Sequence, residues 1–360
     1  MERNLKEIFH IVPQNILNII PAKKSYLVGG AVRDFLLKKP FFDFDFILPK
    51  DDFSSLEYTL EKERLKFILL NKKEFPLYRV FLDSFTFDFT SYDDLENDMQ
   101  KRDFTINAIY VNLENGETFS HKFSFLDLEN RILRVCSVDS IKSDPVRFMR
   151  AFRFIAQYGL SVEETTRAIL NKSIKLYSTS KRERARNELK HLLQNDVDVI
   201  ESSIKSIFPD FVISDKFRVK IAEHYKVFST KISKDMDYVS LLKAFLIYKQ
   251  FKEFVYGLTD REMSIIKYLE KGIKEDFDDF FEQYYLERNK RIEFMLNIVA
   301  NVPSNKVEKL LETAEQFNMV KLKEDEVNDF TKSQEVKIEE LYKYYLKEKL
   351  KPIYENICNS

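Results

Sequence analysis

Only six glycines and nine prolines punctuate a chain of 360 residues, too few turn residues for a β-rich protein of this size. Two cysteines, Cys136 and Cys358, stand far apart with no CxxC pair, and there are four histidines. Neither a disulfide framework nor a structural zinc site is supported, and a reducing cytoplasm is the expected location. No apolar run approaches the length of a membrane span. The opening MERNLKEIFHIVPQNILNII is charged and amphipathic, unlike a signal peptide with its apolar core and small-residue cleavage site. A soluble intracellular protein with no membrane partner is expected. A charge of one sign is missing too, since Lys+Arg 58 balance Asp+Glu 59 to leave −1. That excludes a uniformly basic domain, so any surface for nucleic acid must be segregated.

What is present is core material: 44% hydrophobic residues, with 33 Phe and 18 Tyr. A chain of this size is expected to form two or more globular units. After Leu160 charged and apolar residues alternate without turn clusters, which predicts an all-α C-terminal half. Segregated charge is visible between Asn171 and Lys190, where Lys172, Lys175, Lys181, Arg182, Arg184, Arg186 and Lys190 face only Glu183 and Glu188. A second basic cluster, Lys343, Lys347, Lys349 and Lys351, lies beside Tyr342, Tyr344 and Tyr345. Such runs also suit a solvated helix face.

Periodicity predicts an amphipathic helix over Leu5 to Ile20 ended by Pro21, then a strand Ser25 to Val28 running into Gly29 and Gly30, and a helix Ala31 to Leu37. Phe42 to Leu48 alternates as a strand. Tyr78 to Leu82 and Phe85 to Thr90 predict a hairpin turning at Asp83 and Ser84. Ser91 and Asp94 fit a capping box ahead of a helix that carries Leu95, Met99 and Arg102. Strands and helices are mixed to about Val135, and beyond Asp144 only helices are legible.

The chemistry starts at Asp43 and Asp45 in FFDFDF. Residues two apart in a strand point to one face, so this spacing presents two carboxylates from one stiff segment. Paired carboxylates suit Mg²⁺, and two such ions could activate a ribose 3′-hydroxyl and neutralise a leaving pyrophosphate. Alone, the pair is read more simply as an exposed strand face with two solvated acids. Upstream, in YLVGGAVRD, Gly29 and Gly30 lie between strand and helix, where backbone N–H groups can approach a triphosphate without an intervening Cβ. Arg33 adds a charge-assisted donor on the first helical turn. A phosphate cradle followed ten residues after Arg33 by metal ligands is far more specific than either half. Asp88 is the candidate third acid, with a surface acid as the alternative.

The ordered series GGAVRD, DFDF, KRDFTINAIYVN, SDPVRFMRAFRFIAQYGL and SKRERARNEL resembles the motifs of class II tRNA CCA-adding enzymes and bacterial poly(A) polymerases over roughly Ser25 to Leu192. The resemblance implies an α+β nucleotidyltransferase head, 1–135, with a mixed sheet, followed by all-α parts. These are a neck that reads the base, 136–200, a body, 201–285, and a tRNA-binding tail, 286–360. It implies Asp43 and Asp45 as Mg²⁺ ligands and Arg102 with Asp103 on the nucleotide ribose. Asn107, four residues on, would touch the nucleotide as well. The competing role for Arg102 is an ion pair with Asp98. Asp144 and Arg147 would mimic a base edge, the carboxylate accepting from an exocyclic amino group and the guanidinium donating to ring acceptors. Asp144 before Pro145 also has the form of a helix N-cap. The family usually has an acid where this chain has Ser143, so Arg147 must be braced otherwise. Arg150 and Arg153 would meet phosphates or primer, and Arg184 would pair with Glu188.

The implied activity is template-independent addition to the 3′ end of tRNA, held by its acceptor arm. Full CCA-adding relatives carry a flexible loop between the hairpin strand and the RRD-like motif. Here Asp88 and Arg102 are only 14 positions apart. The expectation is addition of CC from CTP, with a separate enzyme adding the final A. The alternatives are a complete CCA-adding or A-adding enzyme that also uses ATP, a poly(A) polymerase, and a helical RNA-binding protein with an inactive site.

Overall fold

The protein is described by a computed structural model at residues 4–70, 76–214, 231–233, 236–273, 276–286, 291–302, 304–319 and 338–358. It divides into two compact units, Met1–Glu188 with Ser202–Asp210, and Leu189–Glu201 with Phe211–Ser360.

The first unit opens with a 3-10 turn, Lys6–Ile11, and a short helix α1, Gln14–Ile19. The single helix expected over Leu5 to Ile20 is therefore broken in two. Pro13 causes the break: it disfavours helical backbone at the residue before it, and Val12 is extended at φ −78 and ψ 128. Next come β1 (Tyr26–Val28), α2 (Gly30–Leu36), β2 (Asp43–Pro49), α3 (Lys50–Lys62), β3 (Phe67–Leu70), β4 (Leu77–Leu82) and β5 (Phe85–Tyr92). They are followed by α4 (Leu95–Lys101), a 3-10 turn at Thr105–Asn107, β6 (Ile109–Asn112) and β7 (Thr118–Ser120).

The seven strands form one mixed sheet in the order β3-β4-β5-β2-β1-β6-β7. β2 and β5 are parallel; every other pair is antiparallel. Alternation explains why these strands hold their register. Phe44 and Phe46 on β2 are fully buried and stack on Phe87 and Phe89 of β5, with centroids 5.1 Å and 5.6 Å apart. Such pairs add roughly 0.5–1.5 kcal/mol each beyond their area burial. A one-residue slip would drive Asp43 and Asp45 into this apolar layer, so the phenylalanines fix the acids on the opposite face. Asp83, at φ 54, takes the turn between β4 and β5 as expected.

Helix α4 begins later than the sequence pattern implied. Asp94 is its N-cap, accepting from the Asn97 N–H at 2.8 Å, and Ser91 lies inside β5. The unit continues through α5 (Ser124–Glu129), β8 (Ile132–Leu133), α6 (Asp139–Ser143), α7 (Arg147–Tyr158), β9 (Ser161–Val162) and α8 (Glu164–Tyr177). α7 buries Phe148, Met149, Ala151, Phe152, Phe154, Ile155 and Tyr158, and ends at Gly159, left-handed at φ 62. β8 and β9 form a two-stranded parallel pair, a small strand element where only helices were legible.

The division between units falls within α9 (Arg182–Leu193) and α10 (Val197–Lys205). Beyond a short pair, β10 (Lys231–Ser233) and β11 (Met236–Asp237), the second unit is helical. Its helices are α11 (Tyr238–Tyr248), α12 (Asp260–Glu270), α13 (Phe277–Leu286), α14 (Arg291–Asn301), α15 (Ser304–Met319) and α16 (Ile338–Cys358). The Phe-rich α13 packs Phe277 and Phe280 on Tyr354 of α16. In the second basic cluster, Lys343 and Lys347 pair with Glu282 and Asp278 of α13, so two of its four lysines serve helix packing; the side chains of Tyr342 and Tyr345 lie outside the described residues. Parts of the expected body and tail, 215–230 and 320–337, also lie outside them. No helix among the described residues is long and apolar enough to cross a membrane.

Candidate active site

Strand register builds the site. Asp45 on β2 lies beside Asp88 on β5, and Asp88 beside Arg79 on β4. On the other side Asp45 faces Val28 of β1, which faces Tyr110 of β6. One cross-strand row therefore carries Tyr110, Val28, Asp45, Asp88 and Arg79. Asp43 is exposed one pleat away on the same face, and Asp45 is half-buried. Asp88 is not a solvated surface acid: Arg79 binds it bidentately, from Nε at 2.7 Å and Nη2 at 2.6 Å.

Burial raises the pKa of Asp45 to about 6, with Arg102 opposing and the neighbouring Asp88 and Asp43 reinforcing the rise. A cation placed here would reverse that balance. Among the described residues no set of three ligating side chains is gathered for a metal. The donor set nonetheless suits Mg²⁺, which takes one or two carboxylates and fills its remaining positions with water and substrate phosphate oxygens.

The phosphate cradle abuts these acids. Gly29 has φ +79, and a Cβ there would lie 3.1 Å from Asp45 Oδ2 and 3.6 Å from Arg102 Nη1. The backbone conformation favours glycine, and a Cβ would press on the Asp45 carboxylate. Gly30 starts α2. Arg33, expected to reach phosphates, is instead buried and committed to the protein. It donates from Nε and Nη2 to Asp34 at 3.0 Å and 2.7 Å and from Nη1 to Asn107 Oδ1 at 2.6 Å, with its guanidinium over Tyr158.

Arg102 forms the ion pair weighed for it with Asp98. Its Nε donates to Asp98 Oδ2 at 3.0 Å and to the Tyr110 hydroxyl at 2.9 Å. Its Nη1 meanwhile faces Gly29. Asp103 turns the other way and is buried. It accepts from Phe104 N–H at 2.8 Å, from Asn107 Nδ2 at 3.0 Å and from Arg150 Nε at 2.9 Å. Burial works against its charge, but Arg150 and these hydrogen bonds prevail and hold its pKa at about 2. Asn107 reaches Asp103 from a 3-10 turn rather than an α-helix.

The helical side of the unit carries the remaining residues. Arg150 also donates to Glu188 at 3.3 Å, and Arg153 pairs with the same carboxylate at 2.5 Å. A continuous polar line thus runs Asp34, Arg33, Asn107, Asp103, Arg150, Glu188, Arg153. The expected pair of Arg184 with Glu188 is not formed, because Glu188 is taken by α7; Arg184 instead grips Asp144 bidentately at 3.0 Å and 2.7 Å. Asp144 does not cap α7, whose N-cap is Val146 with no side-chain hydrogen bond. Its carboxylate lies 3.8 Å from Arg147 Nε, and Arg147 Nη1 donates to the Ser140 carbonyl at 2.8 Å. The sequence pattern missed Arg79, Asp34 and Tyr110 as partners in the site; only strand register and packing bring them there.

Comparison with known proteins follows the same geometry. Residues 25–92 and 84–134 match the model of the poly A polymerase head domain. The chain is 30% identical over 194 residues to a CC-adding tRNA nucleotidyltransferase of Synechocystis sp., covering 53% of this chain and 46% of that protein. It is 26% identical over 355 residues to an A-adding tRNA nucleotidyltransferase of Aquifex aeolicus, covering 86% and 42%. The chain thus spans less than half the length of these two relatives. Its fold is that of a Thermotoga maritima CCA-adding enzyme solved with tRNA, at TM-score 0.64 and 21% identity over 99% of this chain and 98% of that one. A CCA-adding enzyme solved with ATP superposes at 0.67, with 21% identity, 97% of this chain and 93% of that one.

Proposed function

We propose, from the match of residues 25–134 to the model of the poly A polymerase head domain, that the protein is a template-independent tRNA nucleotidyltransferase adding CC to tRNA 3′ ends from CTP. The observation that carries this reading is the shared face of Asp43, Asp45 and Asp88 beside the Gly29 cradle. Asp43 and Asp45 would hold Mg²⁺, which when bound supplies charge neutralisation at the phosphates and a more acidic 3′-hydroxyl. Gly29 lets the triphosphate approach the acids closely. Arg102 faces that space with Nη atoms that have no hydrogen-bond partner among the described residues. Asp88, gripped by Arg79, completes the acidic face beside Asp45.

Base choice is assigned to Asp144 and Arg147 at the start of α7. A carboxylate acceptor and guanidinium donor match the exocyclic amine and ring acceptors of cytosine, and leave uracil or guanine with mismatched groups. Domain roles follow the same reading: head 1–135, base-reading neck 136–200, then helical body and tail, 201–285 and 286–360, that hold tRNA through its phosphates. The cytoplasm, where tRNA is matured, is the proposed location.

Arrest after CC is supported by the connection between β5 and α4. Tyr92 ends the strand and Leu95 starts the helix, so two residues, one of them the Asp94 cap, join them. No segment is left there to re-form the pocket for adenine, and a separate enzyme would add the terminal A. The Aquifex relative, matched along 86% of this chain, keeps A addition as the second reading. A tRNA ending at the discriminator base, given CTP and ATP together, should gain two cytidines and halt. A product carrying CCA or an A tract would replace the CC-adding reading, and no extension at all would remove the nucleotidyltransferase reading.

A further inference from the structure

Arg102 has its Nη edge at the phosphate cradle because its Nε edge is held elsewhere. We propose that Asp98 and Tyr110 are positioning residues that lock the Arg102 guanidinium against Gly29, so that its Nη atoms meet the triphosphate of the incoming nucleotide. The inference rests on the nucleotidyltransferase reading and assigns two residues to it. Asp98 and Arg102 stand one turn apart at the end of α4 with Nε and Oδ2 3.0 Å apart, and by themselves would be an ordinary half-exposed pair of small consequence.

Tyr110 changes that. It rises from β6 in the same cross-strand row as Asp45, and its side chain is fully buried between Tyr26 and Phe119, in edge contacts with both. Its hydroxyl donates to Asp98 Oδ2 at 2.6 Å and accepts from Arg102 Nε at 2.9 Å. The three groups close a triangle on one edge of the guanidinium. Because that group is planar and its five donors are rigidly forked, fixing the Nε edge also fixes where both Nη atoms point. The Arg102 guanidinium carbon lies 5.2 Å from the Tyr110 ring centroid, a second restraint from the same residue. Phenylalanine would fill the Tyr110 pocket equally well, so the hydroxyl contributes orientation beyond packing.

The test uses the full chain with Mg²⁺. CTP affinity is measured by calorimetry without tRNA, KM and kcat with tRNA, tRNA affinity by filter binding, and stability by thermal melting, for Tyr110→Phe, Asp98→Asn, Asp98→Glu and Arg102→Ala. The expected result is CTP binding and KM weakened about tenfold in Tyr110→Phe and Asp98→Asn, the scale of one hydrogen bond to a charged group. tRNA affinity should hold, and Asp98→Glu should recover part of the loss. Wild-type CTP affinity in Tyr110→Phe and Asp98→Asn, with Arg102→Ala defective, would overturn the clamp and leave the site intact. Equal losses in tRNA and CTP affinity would make the triangle merely structural. If Arg102→Ala binds CTP as well as wild type, the clamp fails together with the assignment of the site.

Discussion

Arg147 Nη1 donates to the main-chain oxygen of Ser140 at 2.8 Å. This backbone contact braces Arg147 in a chain that has Ser143 before Asp144. Ser143 itself donates to the same carbonyl at 2.9 Å, so the backbone of α6 braces the guanidinium. A neutral carbonyl braces Arg147 without neutralising its charge, which Asp144 meets at 3.8 Å. Arg147→Ala should therefore blur the choice among nucleotides and lower kcat, with tRNA affinity retained. Loss of a charged hydrogen-bonding partner, about 1.5–3 kcal/mol, corresponds to roughly tenfold to a hundredfold in CTP-over-UTP preference. Unchanged preference in competition assays would return Arg147 to a structural role.

Arg184 grips Asp144 and is half exposed, 52% of its side chain, so the pair is weak by solvent screening. Arg184→Ala should lower nucleotide preference by about fivefold at most, the scale of an exposed pair. Glu188→Gln should cost more, because both Arg150 and Arg153 lose a charged partner. Turnover of the two variants side by side checks this, and a reversed order would contradict the assignment of Glu188 as the inner brace.

Asp103 gives the pH prediction. Its folded pKa, about 2, lies below the ordinary 3.8, so its contribution to stability is fully present above the ordinary value and is lost as pH falls through the folded one. The contribution is on the order of 2 kcal/mol at neutral pH. Asp103→Asn should lower the melting temperature at pH 7 and flatten the dependence of stability on pH between about 4 and 2. Denaturation curves across that range decide it; parallel curves for both proteins would show that Arg150 does not hold the carboxylate ionised.

Four of the seven strands were legible in the sequence because they rest on short periods. FFDFDF states in six letters which face is apolar and which carries acid, and Gly29 with Gly30 marks the close approach beside it. Pairings were not legible. Arg33 looked like a phosphate donor because nothing in GGAVRD says that Asp34 and Asn107 claim it. Glu188 looked like the partner of Arg184 by helical spacing, whereas contacts across α7 decide the matter. Likewise Pro13 divided a helix that apolar spacing alone would have continued.

The central claim, that Asp43 and Asp45 are the transfer centre of a tRNA-extending enzyme, is tested by single-turnover extension of a 3′-truncated tRNA with CTP and Mg²⁺. The wild-type chain is compared with Asp45→Ala, and tRNA binding is measured in parallel. Loss of the proposed metal-holding acid should reduce the rate by several powers of ten while tRNA affinity stays near wild type, as the proposal places the tRNA phosphates on basic surfaces elsewhere. Extension by Asp45→Ala within about tenfold of wild type would contradict the account.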